Sequence, residues 1–268
     1  MRTGSNVRVR WSEHRASELR EYAAQRYLVI LPLGSIEQHG AHLPVDTDIF
    51  TPTAIAEEAA RRLGRAIVAT PLPFGQSAAH VRFGGTLSLS ADTMLAVLRD
   101  LVGSILAAGF TRILLLNGHN GNKPFLQMIL SEYAAQRNVS LAAATYYDLI
   151  ARDISTKRRS KEGGDAHAGE IETSLQLHLR EDLVDMQSAV ASPVRPATAF
   201  DARDLVVSGT ASVGAAMAEL YPSGVAGDPT VADAKLGAEL FESAVGQLVR
   251  FAEDYVDFIA SRPEAQAP

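Results

Sequence analysis

Residues 37–48 concentrate side chains that can hold metal ions. Glu37 and His39 lie two residues apart, so in an extended backbone both side chains leave on the same face and could reach one ion. A glycine and a proline farther along favour a turn that could fold the carboxylate of Asp48 back to the same point. The chain contains no cysteine, so any metal here must bind imidazoles and carboxylates, a set that suits zinc, manganese or iron(II). The alternative is a loop in which the aspartates only cap local structure.

Two later segments carry the same kinds of side chain. His119 stands among glycines and asparagines in residues 117–122, directly after a predicted strand. His167 precedes a predicted helix that carries Glu170 and Glu172. Helix N-termini stabilise carboxylates, so we interpret Glu170 as a capping residue, whereas Glu172 lies deeper and needs another reason. Because His119 should face the same crevice as the first segment, the two segments reinforce the prediction of one site.

Other polar residues have structural interpretations. We expect His42 to hold its loop by hydrogen bonds and Asp46 to cap that loop. Asp228 is interpreted as a helix N-cap, His178 as a helix-end residue and His14 as a surface residue. None of these residues is assigned to the chemistry of the site.

Apolar runs and amphipathic stretches predict the elements that position these side chains. The predicted strands cover residues 27–33, 66–70, 113–116 and 140–145. The predicted helices cover residues 12–25, 51–63, 92–108, 123–137 and 169–179, and a last long helix starts at 228–229. The predicted caps are Thr51, Asp92 and Asn122. Residues 153–164 and 192–210 are rich in polar or chain-breaking residues and are predicted as long loops.

The alternation of strands and helices predicts an α/β fold, a single domain with a mostly parallel sheet flanked by helices. Parallel neighbours need crossover connections, which the intervening helices provide. In such sheets functional side chains collect at the carboxyl ends of the strands. The predicted domain spans residues 1–268, with an N-terminal helical segment within 1–26 and a tail at 261–268.

The composition excludes several classes of function. The 268 residues include 25 Lys and Arg against 31 Asp and Glu, a net charge of −6, so no nucleic acid is expected as a partner. The absence of cysteine excludes disulfides, thiolate nucleophiles and cysteine-ligated metals. Neither a signal peptide nor a run of eighteen apolar residues is found, so a cytoplasmic protein with no membrane partner is predicted.

The chain resembles the creatininase (creatinine amidohydrolase) family over about residues 27–255. Five segments in family order carry the resemblance: LPLGSIEQHGAHLPVDTD at 31–48, HVRFGGT at 80–86, NGHNGN at 117–122, GDAHAGEIETS at 164–174 and SGVAGDPT at 223–230. The resemblance implies an α/β fold that binds two divalent metal ions, with Zn²⁺ expected and Mn²⁺ or Fe²⁺ as alternatives. The implied ligands are Glu37, His39, Asp48 and His119, with Asp48 bridging the pair.

The resemblance also implies the chemistry. A hydroxide held between the two ions attacks the carbonyl carbon of a small, possibly cyclic amide, and His167 protonates the leaving nitrogen. Glu172 is assigned as a metal ligand or as the base that orients the nucleophile. His80 and Asn120 are assigned to substrate binding. Family members assemble as hexamers, so a homo-oligomer is expected.

Two departures separate the chain from the creatinine-cleaving members. Those members carry Tyr-Glu after the histidine of the third segment, and the glutamate is a metal ligand, whereas this chain has Asn120 and Gly121. Glu172 or a water is the candidate replacement. They also cover creatinine with tryptophans late in the chain, whereas the only tryptophan here is Trp11. The chain therefore resembles the general branch of the family, which includes deformylases of formamidopyrimidine intermediates and peptide-cleaving members of peptide-cofactor pathways.

Two alternatives to an amidohydrolase remain open. A lactonase could use the same hydroxide, because the electrophile is the same kind of carbonyl. A non-catalytic nucleotide- or sugar-binding module could use the glycine-rich loops to hold phosphate at helix N-termini. Neither a GxGxxG nor a Walker pattern supports the second alternative.

Overall fold

Four parallel strands form the central sheet of the computed structural model, which describes residues 7–136, 139–196, 198–201, 204–207, 209–211, 213–214 and 217–261. The strands are β1 (Leu28–Leu33), β2 (Ala66–Val68), β3 (Arg112–Asn117) and β4 (Ser140–Thr145), in the order β2-β1-β3-β4. This arrangement confirms the predicted α/β class and the mostly parallel sheet flanked by helices.

The helices connect and cover the strands. Their bounds are α1 (Ala16–Ala24), α2 (Thr47–Leu63), α3 (Ala91–Ala107), α4 (Lys123–Tyr133), α5 (Tyr146–Leu149), α6 (Ala151–Lys157), α7 (Glu170–Arg180), α8 (Met217–Leu220) and α9 (Ala234–Ser261). Within the described residues, no helix is both long enough and apolar enough to cross a membrane.

The central strands β1 and β3 bury both of their faces, because successive side chains point to opposite sides of the sheet, whereas the edge strand β4 is mostly half-buried. On one face, Ile30 and Leu114 pack among buried residues of α2, α7 and α9. On the other face, Leu31 and Leu115 pack among residues of α1, α3 and α4. The apolar runs that predicted the strands therefore reflect helices on both sides of the sheet.

Helices α1, α2 and α3 begin at different residues from those predicted. Helix α1 begins at Ala16 rather than at residue 12, and a 3₁₀ helix at Trp11–Glu13 precedes it. Helix α2 begins at Thr47 rather than Thr51, with Pro52 inside the helix. Helix α3 is capped by Ser90, whose hydroxyl accepts the N–H of Thr93, and not by the predicted Asp92. The serine precedes the helix in extended backbone, the conformation an N-cap requires.

Further predictions about helices were wrong. The last long helix begins at Ala234, where the Asp233 carboxylate accepts the N–H of Leu236. Asp228 is an N-cap, as predicted, but of the short 3₁₀ helix Pro229–Val231, where its carboxylate accepts the N–H of Thr230. Part of the predicted loop 153–164 is helical, because α6 extends to Lys157. Helix α4 ends at Tyr133 and residues 134–136 are not helical, so the prediction of a helix to residue 137 was wrong over these residues; residue 137 itself lies outside the described residues.

A second, two-stranded sheet lies beside the main one. Its strands β5 (Asp165–His167) and β6 (Ala226–Gly227) are antiparallel. The strand β5 carries His167 and leads directly into α7, which carries Glu172. This small sheet and α7 together position these two predicted site residues.

Candidate metal centre

Five buried side chains from separate parts of the chain meet at the carboxyl ends of β1 and β3. Glu37 and His39 follow β1, His119 follows β3, and Asp48 and Glu172 lie in the first turns of α2 and α7. Their exposed fractions range from 0% for His39 to 6% for His119. The structure thus brings together all of the predicted ligands, at the edge of the sheet where the strand topology places functional residues.

The position of Asp48 depends on the packing of the first turn of α2. Pro52 has no N–H to donate to the main-chain carbonyl of Asp48. That carbonyl instead lies against Gly34 and Gly118, where any Cβ atom would overlap it. The helix start is therefore held between the ends of β1 and β3, which directs the Asp48 side chain into the centre.

The two oxygens of the Asp48 carboxylate serve two different groups of side chains. Oδ1 lies 3.0 Å from Nε2 of His39, and Oδ2 lies 2.9 Å from Nδ1 of His119. Glu37 completes the group with His119, at 3.4 Å from Oε2 to Nδ1. Glu172 completes the group with His39, at 3.8 Å from Oε2 to Nε2. In each group the candidate ligand atoms lie within 4.8 Å of one another.

Main-chain carbonyls orient both histidines. Nδ1 of His39 donates to the carbonyl of Glu37 over 3.0 Å, which directs Nε2 to the centre. Nε2 of His119 donates to the carbonyl of Gln76 over 2.9 Å, which leaves Nδ1 facing Asp48. The hydroxyl of Ser77 lies 3.1 Å from the same nitrogen of His119 and was not recognised in the sequence. Partners of this kind commonly fix the ring of a metal-binding histidine.

The charges of the site favour cations. Burial alone would lower the pKa of His39, but Asp48 and the two glutamates outweigh it and raise the pKa to about 10. For His119 burial is likewise outweighed by Glu37 and Asp48, which raise the pKa to about 9. Burial opposes ionisation of Asp48, yet the two histidines hold the pKa of this carboxyl well below its usual range.

The donor set fits divalent cations. Oε2 of Glu37 is buried and has no hydrogen-bond partner among the described residues, so it is free to act as a ligand. Carboxylates and imidazoles are suitable ligands for zinc, manganese and iron. A glutamate, which the family resemblance would place at Gly121, does not fit there, because a Cβ atom would overlap the Gln76 carbonyl and the His119 ring.

His167 and Glu172 are linked through the turn between them. Ala168 has a φ of +52°, which non-glycine residues rarely adopt, and its N–H donates to Oε2 of Glu172 over 2.6 Å. The His167 ring lies between those of His39 and His80, at centroid distances of 4.3 and 4.4 Å. Burial, reinforced by these two rings, holds the pKa of His167 well below its usual range.

A cavity of about 540 Å³ opens above the centre. Both predicted substrate-binding residues, His80 and Asn120, lie on its wall, together with His167. Wall residues that the sequence analysis did not single out are Tyr147, Lys123, Asp201, Asp204, Met217 and Tyr221. They come from segments with no local signal for chemistry, and only the fold brings them to the site.

Three residues that were interpreted as capping residues bind other partners in the structure. Asp46 forms an ion pair with Arg180 at 2.8 Å and makes no side-chain cap bond. Asn122 does not cap α4; its amide donates to the carbonyl of Gly34. Glu170 accepts main-chain N–H groups from the preceding loop, at residues 159 and 160.

The interpretation of His42 as a loop-holding residue agrees with the structure. Its Nε2 lies 3.0 Å from the hydroxyl of Thr173 on α7. Neither metal-capable group described above includes His42. The bond ties the loop after β1 to the helix that carries Glu172.

Comparisons with known proteins agree on one family. The family model described as creatininase, creatinine amidohydrolase, matches residues 12–252. The mycofactocin precursor peptide peptidase of Mycobacterium ulcerans (strain Agy99) is 33% identical over 229 residues, which cover 82% of each chain. The creatinine amidohydrolase of Pseudomonas putida is 32% identical over 203 residues, which cover 70% of this chain and 75% of that one.

Solved structures give the same result. A crystal structure of creatininase matches with a TM-score of 0.77 at 28% identity, over 93% of this chain and 98% of its own. Forms of creatininase described as Zn–Zn type and as Mn both match with a TM-score of 0.77 at 28% identity, over 93% and 92% of this chain and 98% of theirs. A variant complexed with creatine matches with a TM-score of 0.76 at 27% identity, over 92% of this chain and 98% of its own.

Proposed function

The chain belongs to the creatininase family of hydrolases, and from this premise we propose that it is an amidohydrolase that uses two divalent cations to cleave a small amide C–N bond. The observation that carries the proposal is the shared carboxylate of Asp48. Its two oxygens face His39 and His119 separately, at 3.0 and 2.9 Å. A carboxylate placed in this way suits a bridge between two ions.

Among the described residues, three groups of side chains have ligand atoms close enough to hold an ion. Two of them share Asp48 and give the two proposed ligand sets, and the third, Glu37, His39 and His167, contains the proposed proton donor. Glu37, Asp48 and His119 would hold one ion, and His39, Asp48 and Glu172 the other. When bound, such ions supply a nucleophilic water near neutral pH and polarise the substrate carbonyl. We propose Zn²⁺ as the ion, with Mn²⁺ or Fe²⁺ as alternatives, because all three accept mixed nitrogen and oxygen ligands.

The remaining residues act on the substrate. His167 faces the cavity beside Glu37 and is proposed to protonate the leaving nitrogen. His80 and Asn120 on the cavity wall would bind the substrate. The hydrogen bond from Ala168 holds Glu172 in place, so its carboxylate acts as a ligand or as the base that orients the nucleophile.

The substrate is proposed to be an amide other than creatinine. The glutamate ligand that the resemblance implies for creatinine-cleaving enzymes has no room at Gly121. Trp11, the only tryptophan of the sequence, cannot cover a substrate as their tryptophans do, because it packs on Phe110 at a centroid distance of 5.2 Å, among residues that do not line the cavity. A peptide C–N bond is a second candidate. It is favoured by the relative of Mycobacterium ulcerans, which is named a peptide peptidase.

Metal analysis and a panel of amides test the proposal. The panel contains cyclic amides, N-formyl amines and short peptides, with lactones as a separate class. We expect about two ions per chain, with hydrolysis that is lost in Glu37→Ala and His119→Ala. Glu58→Ala and His178→Ala, at positions away from the centre, are matched controls that should retain activity. Activity that survives in both site variants would refute the proposed centre.

Assembly and location are proposed on the family resemblance and the sequence. We expect a homo-oligomer, with a hexamer as the specific case, in the cytoplasm. Sedimentation velocity of the purified protein tests the assembly, and a sedimentation coefficient of a monomer at micromolar concentration would contradict it.

A further inference from the structure

Gln38, between two of the proposed ligands, joins several parts of the site through its side-chain amide. The residue is 7% exposed. Its Oε1 accepts the N–H of Gly40 over 2.9 Å, which fixes the orientation of the amide group. Its Nε2 lies 3.0 Å from the carbonyl of Gly224 and 3.0 Å from Nδ1 of His80. The two amide hydrogens are therefore directed to these two acceptors.

These contacts determine which nitrogen of His80 carries its hydrogen. Because Nδ1 of His80 accepts a hydrogen bond from Gln38, the neutral ring carries its hydrogen on Nε2. That nitrogen lies 3.7 Å from Oε1 of Glu37. His80 therefore presents an N–H group to the Glu37 carboxylate.

The main chain of Gln38 determines the tautomer of His167 in the same way. Its carbonyl oxygen lies 2.7 Å from Nε2 of His167 and can only accept, so that nitrogen carries the hydrogen. The amide Nε2 of Gln38 also lies 3.2 Å from Nε2 of His167, but both atoms are donors and no bond joins them. Nδ1 of His167 is left facing Oε1 of Glu37 at 3.3 Å.

We propose that Gln38 is a positioning residue that fixes both tautomers, so that His167 exchanges its catalytic proton through Nδ1. The proposal rests on the proposed function, in which His167 protonates the leaving nitrogen. The neutral ring first takes, on Nδ1, the proton that the attacking water loses as its oxygen bonds to the carbonyl carbon. The Nδ1–H bond then breaks and an N–H bond forms on the leaving nitrogen, which keeps the electron pair of the broken C–N bond. His167 is left neutral, with its hydrogen on Nε2.

The surroundings hold Gln38 in this position. Gly224 has a φ of +76°, and a Cβ atom there would overlap Oε1 of Gln38, so a larger residue would displace the amide. The N–H of Gln38 donates to the hydroxyl of Thr86 over 3.0 Å, which anchors the main chain as well. Both the side chain and the carbonyl that contacts His167 are therefore fixed.

Two-bond ¹H–¹⁵N NMR spectra of metal-free protein with ¹⁵N-labelled histidine test the tautomers without any substrate. At pH 8, above the ordinary histidine pKa of about 6.5, His80 and His167 should both appear as neutral rings with the hydrogen on Nε2, as their hydrogen bonds to Gln38 require. The variant Gln38→Glu keeps the acceptor for Gly40 and the main-chain carbonyl for His167, but its carboxylate accepts where the amide donated, so the hydrogen of His80 should move to Nδ1 while the His167 signal stays the same. Hydrogen on Nδ1 of wild-type His167, or a His80 signal unchanged in the variant, would overturn the proposal.

Kinetics of metal-loaded protein then separate positioning from structure, using the panel amide that the wild type hydrolyses fastest. Gln38→Leu and Gln38→Glu should lower kcat about ten-fold or more, with KM within about two-fold and the metal content unchanged. Gln176→Leu removes a buried glutamine that bonds to Thr51 outside the site, and should change neither kcat nor the histidine spectra. Loss of metal in parallel with kcat would show a structural role and overturn the proposal. If even wild-type protein hydrolyses no amide, the proposed function fails, while the spectra still decide the tautomers.

Discussion

Binding of metal to the metal-free protein is expected to release about two protons per chain at pH 7.5. The carboxylates around His39 and His119 raise the pKa values of these rings to about 10 and about 9, so both rings are almost fully protonated at that pH. A nitrogen that binds a metal ion cannot keep its proton, so each ring must lose one. Two rings with an ordinary pKa of about 6.5 would together release only about 0.2 protons.

Isothermal titration calorimetry measures this number. Zn²⁺ is titrated into metal-free protein in buffers with different enthalpies of ionisation, and the slope of observed enthalpy against buffer enthalpy gives the protons released. The overall association constant for the ions should also rise about 100-fold per pH unit between pH 7 and 8, because two protons are linked to binding. His178→Ala, which changes a histidine outside the centre, should give the same slope as wild type.

A slope below about one proton per chain would refute the reasoning, because it would mean that the buried carboxylates do not hold protons on the two rings. A slope of two or more supports it. Ionisation of a water on binding can only add to the expected value.

Three further outcomes are expected. In metal-free protein, the two raised histidine pKa values stabilise the folded state fully below about pH 6.5, and this stabilisation is lost as the pH rises through 9 and 10. The melting temperature in thermal scans should therefore fall between pH 8 and 10.5. A rise over that interval would contradict the assignment. Gly121→Glu should lower the free energy of unfolding by about 1–3 kcal/mol and should bind no additional metal, because its Cβ atom overlaps the His119 ring. A stable variant that binds more metal, measured by elemental analysis, would show instead that the site accepts a glutamate ligand at this position. His42→Ala should lower the free energy of unfolding measured in urea by about 1–3 kcal/mol, because it leaves the buried Thr173 hydroxyl without this partner. The metal content should stay the same. A loss of metal would show instead that His42 belongs to the centre.

The strands and the loops that follow them could be predicted from the sequence because their signals are local. The apolar run ending at Leu33 is buried on both faces, and the polar residues after it lie where parallel topology places functional groups. The same reasoning placed His119 beyond β3. The turn between His39 and Asp48 indicated that the Asp48 carboxylate could return to the same point, whereas the approach of Glu172 followed only from the family resemblance, since no local pattern specifies how two helix starts approach each other.

The error in the predicted start of α2 has a physical cause. Pro52 indicates a first turn, yet α2 begins before it because the carbonyl that the proline leaves unbonded packs against Gly118. The bonds of Gln38 were also not predictable, because they connect it to residues as distant as Gly224. Glutamine carries no charge and has no characteristic spacing, so its position beside two ligands was the only signal in the sequence.

The ligands of the centre are spread from Glu37 to Glu172, so the pocket forms only after the sheet and α7 have assembled. An ion that binds only the folded chain stabilises it, by about 4 kcal/mol when the free ion exceeds its dissociation constant a thousand-fold. Scarcity of the ion would then increase the unfolded fraction available to proteases, and the cellular lifetime of the protein would follow the metal supply.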